Sequence, residues 1–170
     1  RQKNPDLSDE AKQAVARAVG IGAIKYPMLA RENGKIVTFD WETALDFDGQ
    51  AAPYIQYAYV RAGSILRKAG GSLPAELTPA YDLTQPEIVL VDMIARIPKE
   101  VQRAAADLKP LQIATLGFEL AQAFNDFYTQ CPVLSAEPAV RDNRLRLVAA
   151  ARQAIAVLLA LMGITAPEAM

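Results

Sequence analysis

Between Pro53 and Gly70 the chain carries Tyr54, Tyr57, Arg61, Ile65 and Lys68. At about 100° per residue these five fall on one face of a helix. Rings beside a guanidinium and an ammonium suit one chemistry in particular: the rings stack on unpaired bases of an RNA loop, the planar guanidinium offers paired donors, and both cations meet phosphate. Each stacked base contributes roughly 1–3 kcal/mol, so a few contacts would matter even without a basic surface. The competing reading half-buries these tyrosines with only their hydroxyls at the surface, and periodicity alone leaves both open. Tyr128, at the edge of an apolar face with Phe124 and Phe127, divides the same way between a ring offered to a groove and a core residue.

A second cationic stretch, RDNRLRLVAAARQ (141–153), contains Arg141, Arg144, Arg146 and Arg152. Arg144 aligns with the apolar stripe Val148, Ala151, Ile155 and Met162. A charge on that side costs several kcal/mol unless paired. Its expected partner is a carboxylate such as Asp126 or an RNA phosphate, the carboxylate being favoured because structural pairs outnumber ligand contacts. Arg141 and Arg146 read as solvated charges.

What is missing narrows the chemistry further. The 170 residues include no histidine, which excludes Ser/His and Cys/His nucleophilic catalysis and removes the commonest neutral metal ligand. No pair of carboxylates stands out. The single cysteine, Cys131, allows neither an internal disulfide nor a Cys-based zinc site and reads as a buried small apolar residue in a reducing compartment, the cytoplasm. No glycine-rich phosphate loop is present: GIG at 20–22 sits inside a helical pattern and the glycines of AGG at 69–71 end one. A net charge of −1 and a pI near 5.5 argue against a general nucleic-acid coat, so any such contact must be local. No signal peptide is visible, and the absence of an initial Met suggests a piece of a longer chain. The most apolar run, AIAVLLALMGI (154–164), falls short of the ~20 residues that cross a bilayer.

The elements that must position these residues are almost all helical. Ser8, Asp9 and Glu10 open a helix to about Met28, with Gly20 and Gly22 read as packing glycines. A turn at Asn33-Gly34 leads into a short strand or extended piece over Lys35–Phe39, then a short helix over Trp41–Phe47. Helices follow over Ala52–Ala69 and, after a loop bearing Pro and Gly, from the Thr84/Glu87 capping box to about Ile97. Pro98 breaks that helix and a further one runs to about Leu108. The last two cover Pro110–Gln130 and Ala139–Met162. The fold class is all-α: a helical bundle preceded by a short helix and an extended connecting segment, with a boundary near Asp48–Gln50.

Several stretches resemble one family. AVARAVGIGAIKY (14–26), FDWETALDFDGQAAPYIQYAYVRAGSILRKAG (39–70), FNDFYTQCPVL (124–134), RLRLVAAARQ (144–153) and LMGITAPEAM (161–170) are similar, in this order, to the C-terminal half of arginyl-tRNA synthetases. A bundle of this type also occurs in cysteinyl-tRNA synthetases, but PYIQYAYVR and GIGAIKY look like the arginine enzymes. The resemblance implies a connecting segment over 1–49 and an anticodon-binding domain over 50–170. Carried over, the tRNA contacts are Tyr54, Tyr57, Arg61, Tyr128 and the terminal Met170; Lys68 and Arg144 join them from the helical faces. The arginine tRNA and an N-terminal catalytic domain are the implied partners, and the implied form is a monomer. No cofactor is implied in this piece; ATP with magnesium belongs to the complete enzyme, since neither the two-histidine signature nor the lysine- and serine-bearing ATP loop is present here.

Two departures stand out. The family commonly ends in Pro-Glu-Arg-Met, whereas Ala169 precedes Met170 here. Ala62-Gly63 occupies a pair that commonly bears an arginine. The rival readings are a helical protein-interaction module that no longer binds RNA, and the anticodon-binding domain of another synthetase.

Overall fold

The computed structural model describes residues 7–71 and 81–170, so the loop expected after Gly71 lies largely outside the described residues. Among them, six helices appear in order: α1 (Asp9–Leu29), α2 (Trp41–Ala44), α3 (Ala52–Lys68), α4 (Gln85–Ala106), α5 (Pro110–Gln130) and α6 (Pro138–Leu161). α4 lies along α5 and α3 along α6, α5 closes the centre against α6, and α1 packs across α3 and α5.

Helix ends follow the local sequence. Ser8 caps α1 by accepting from the Ala11 N–H at 3.2 Å, and Glu87 accepts from the backbone N–H of Thr84 at 2.8 Å, closing the box at the start of α4. α3 ends where Gly70 and Gly71 take φ of +94° and +78° and their N–H groups donate to the carbonyls of Arg67 and Leu66. At the end of α4 the same left-handed position is filled by Leu108, at φ +52°, whose carbonyl accepts from Asn33 Nδ2 at 2.9 Å.

The core is the set of inward stripes. Leu90 of α4, Leu120, Phe124 and Phe127 of α5, and Val148, Ile155 and Leu158 of α6 are fully buried around Ile55 of α3. Burial of each large side chain contributes roughly 1.5–3 kcal/mol. Tyr26 brings α1 into the same core: it is buried, its hydroxyl donates to the Ala114 carbonyl at 3.2 Å, and burial raises its pKa to about 12.

Four expectations change. Pro98 does not break α4, which runs through it. The ring faces solvent, while Leu90, Met93, Ile97 and Ala104 keep one unbroken apolar stripe against the bundle; packing outweighs one lost helical bond. Lys35–Phe39 carries no regular structure, so the strand alternative falls, and the helix after it stops at Ala44 rather than Phe47. The two glycines of α1 also differ. A Cβ on Gly22 would stand 3.1 Å from Ala52 Cβ and 3.2 Å from Ile164 Cγ2, so the backbone of α1 packs there directly on side chains of α3 and the tail, whereas Gly20 has open space around it and is not a packing glycine.

Candidate nucleic-acid interface

The stripe on α3 meets the outer face of α5, and the two helices divide its residues by depth. Tyr54 is half-buried with its ring 5.2 Å from that of Phe118, so its apolar surface is spent on the bundle. Tyr57, one turn on, is 40% exposed, and Tyr128 of α5 is 42% exposed. Between them lies Arg61. Its Cζ stands 4.7 Å from the Tyr57 ring centroid and 5.2 Å from that of Tyr128, and its Nη1 donates to Asn125 Oδ1 at 2.7 Å. The guanidinium is thus fixed by two rings and an amide, with no carboxylate among these partners to neutralise it.

Arg61 also begins a groove of about 540 Å³ that runs down between α3 and the segment after α5, past Ser64, Lys68, Thr129 and Ser135. Lys68 is exposed at its far end, and Ile65, which the helical wheel placed on the open stripe, is a buried floor residue. Rings, a held guanidinium, hydroxyls and an ammonium therefore line one surface. That set can stack a base, donate to its edge and meet a phosphate without acid–base chemistry.

Arg144 lies behind this surface. Its partner is Glu87 of α4, not Asp126: Nε donates to Glu87 Oε1 at 2.8 Å, while Asp126 is exposed. Asp126 shares α5 with the groove residues and points outward, whereas Glu87 is carried inward by the capping box that starts α4. Arg144 Nη1 donates in addition to the carbonyl of Pro132, which lines the groove, so this arginine supports the groove wall from inside. Burial alone would push the Glu87 carboxyl up; the bonds from Arg144, Thr84 and Tyr81 overcome it and hold the carboxyl down at about 2. Tyr81, whose hydroxyl donates to Glu87 at 2.7 Å, is pushed up to about 12 by burial and by that carboxylate. Cys131 is buried beside this group, its sulfur 3.3 Å from the Thr84 hydroxyl. Arg141 is exposed and stands 3.4 Å from Asp142, whereas Arg146 is half-buried rather than fully solvated.

Met170 is not brought to the Tyr57–Arg61–Tyr128 group. It lines a different groove, of about 620 Å³, with Val15 and Val19 of α1 and Trp41 and Leu45 of the α2 region. The tail that carries it is fastened twice. Gln56, fully buried, donates through Nε2 to the carbonyls of Thr165 (2.8 Å) and Ala18 (3.2 Å). Arg152 donates through Nη2 to both carboxylate oxygens of Glu168, at 2.8 and 2.7 Å, and to the Tyr59 hydroxyl. Gly63 makes that second tie possible, because a Cβ there would lie 3.1 Å from Arg152 Nε and 3.3 Å from Arg67 Nη1. Two guanidiniums, of Arg152 and Arg67, thus lie over the turn that holds Ala62 and Gly63.

Sequence reasoning missed Asn125, Gln56 and the Arg152–Glu168 pair. A polar amide directly beside a core position, Ile55 for Gln56 and Phe124 for Asn125, was the available signal for the first two. The third is a contact between distant segments that no spacing announces. Among the described residues no cluster of His, Cys, Asp or Glu is placed to hold a metal, and no helix is long and apolar enough to cross a membrane.

Similar proteins are known over the whole described chain. The chain is 45% identical over 172 residues to the arginine–tRNA ligase of Pyrococcus abyssi, covering 99% of this chain and 28% of that protein. It is 44% identical over 169 residues to the arginine–tRNA ligase of Methanocella arvoryzae, covering 99% and 30%. Among solved structures, the arginyl-tRNA synthetase of Thermus thermophilus superposes with a TM-score of 0.90 at 38% identity, over 99% of this chain and 29% of that one. The chain thus spans under a third of the length of these relatives. Residues 55–170 match the model of the DALR anticodon binding domain, and the chain belongs to that family.

Proposed function

We propose that this chain is the tRNA-recognition part of an arginyl-tRNA synthetase, docking the anticodon loop of arginine tRNA on the α3–α5 face. The observation that carries this is the exposed Tyr57–Arg61–Tyr128 array, in which a guanidinium is held in place yet has no carboxylate partner among the described residues. In this reading, bases splayed from the loop stack on Tyr57 and Tyr128, Arg61 donates to a base edge or phosphate, and Lys68 meets a phosphate further down the groove. Tyr54 supports the array from beneath through Phe118. Arg144 is assigned to Glu87 and left out of the contact set, and Met170 keeps its place through the family resemblance alone.

The complete protein would attach arginine to its tRNA with ATP and magnesium in a catalytic domain on the same chain, in the cytoplasm and as a monomer. Residues 1–49 would be the connecting segment to that domain and 50–170 the anticodon-binding domain, with α1 anchored on the bundle through Tyr26.

The deciding test is competition at fixed salt between arginine tRNA and versions with exchanged anticodons. Preferential binding of arginine tRNA, reduced by Tyr57→Ala without a change in melting temperature, is the expected result. Equal binding of all would favour an interaction module, and preference for an exchanged anticodon would favour another synthetase.

A further inference from the structure

Arg61 is donor-only, so whatever touches its Nη1 at 2.7 Å must accept. That requirement fixes the orientation of the Asn125 amide: Oδ1 faces Arg61, and the NH₂ group is turned the other way. Among the described residues no acceptor receives that NH₂ group. Asn125 is half-buried on α5, one turn before Tyr128 and Thr129, at the end of the groove where Arg61 lies. Asparagine is a poor residue for a helix interior, and here its backbone carbonyl already accepts from Thr129 Oγ1 at 2.8 Å, a bond that does not involve its side chain.

We infer that Asn125 is a specificity-determining residue, whose fixed amide donates to an acceptor on the edge of the base stacked beside Tyr57 and Tyr128. The inference rests on the reading of this face as the anticodon site and adds the sign of the readout. A base presenting a ring nitrogen lone pair or a carbonyl oxygen there is accepted, and a base presenting an exocyclic amino group is refused, because two donors would then face each other. Arg61 acts twice, as a stacking and charge partner and as the group that sets the Asn125 amide.

The test is Asn125→Asp, which preserves shape and strengthens the contact to Arg61 while replacing the outward donor by an acceptor. Binding of arginine tRNA, and of tRNAs altered at one anticodon-loop base at a time, is measured by titration at fixed salt, with melting temperature recorded alongside. Asn125→Asp is expected to melt like the unsubstituted protein and to bind arginine tRNA about tenfold or more weakly. At a single loop position, a base change that supplies an amino group should recover much of the loss. A purely structural asparagine predicts no change, and a general charge effect predicts the same loss for every RNA; either result overturns the inference. Arg61→Ala separates the two levels. If it weakens binding while Asn125→Asp changes nothing, only the role of Asn125 falls. If neither variant alters binding, the anticodon reading of this face falls with it.

Discussion

Two arginines one layer apart hold opposite positions in this bundle. Arg144 is 8% exposed and makes a carboxylate contact, a carbonyl contact and a ring contact with Glu87, Pro132 and Tyr81. Arg61, on the open face, makes one amide contact and two ring contacts with Asn125, Tyr57 and Tyr128. Both guanidiniums are fixed in place. Among the described residues, only the first has a carboxylate against it. The difference teaches how a mildly acidic protein can present a cation to RNA: orientation is supplied by neutral partners, and the charge stays available. Buried pairing does the reverse, removing the charge from use and turning it into a brace among α4, α6 and the segment after α5.

The brace should be the more fragile half under mutation. Arg144→Ala leaves the Glu87 carboxylate buried without its cation and is expected to destabilise the fold by about 3–5 kcal/mol in urea or thermal unfolding. Adding Glu87→Gln should recover part of that loss, since a neutral amide still accepts from Thr84. A loss below about 1 kcal/mol would mean that the pair is no more than a surface contact and would erase the contrast with Arg61.

Acid titration probes the same brace more gently. Burial opposes ionisation of Glu87, but Arg144, Thr84 and Tyr81 hold its carboxyl at about 2 in the fold, against an ordinary 4.5. A depressed carboxyl contributes stability that is full above its unfolded value and disappears as pH falls through the folded one. Unfolding free energy should therefore be level from neutral pH to about 5 and fall by up to about 3 kcal/mol between there and pH 2. Arg144→Ala should flatten or invert that slope, because burial then raises the carboxyl. With no histidine in the chain, no side chain titrates between pH 5 and 8 at its ordinary value to disturb the plateau; below it Glu10 and Asp40 are also held down, so the difference between the unsubstituted protein and Arg144→Ala isolates the share of Glu87.

This pairing also marks where the sequence stops being informative. Helix starts at Ser8 and Thr84, the stop at Gly70-Gly71 and the stripe of α3 could be read directly, because each depends on neighbours within a few positions. The need of Arg144 for an internal carboxylate was readable too, from its place on an apolar stripe. The identity of that carboxylate was not: Glu87 lies 57 residues away, and only the packing of α4 against α6 selects it over Asp126. Pro98 went wrong for a related reason, since a local rule about proline cannot weigh the buried stripe on the far side of the same helix. At the candidate site, spacing placed Tyr54, Tyr57, Arg61 and Lys68 together, but depth separated Tyr54 from the rest and supplied Asn125 from another helix.

Lys68 gives the smallest expected effect and the sharpest view of the open side. It is exposed at the end of the groove and makes no ion pair among the described residues. Lys68→Ala should change stability by no more than about 0.5 kcal/mol, in contrast to Arg144→Ala. If its ammonium meets a phosphate, one counterion fewer is released on binding, and the slope of log affinity against log salt should become shallower by about 0.7 for a single-stranded loop. That change should be the same for every tRNA, because a phosphate contact carries no sequence information. An unchanged slope would end the RNA path near Arg61 and confine the open face to the Tyr57–Arg61–Tyr128 array; a slope change confined to arginine tRNA would place Lys68 against a base edge instead.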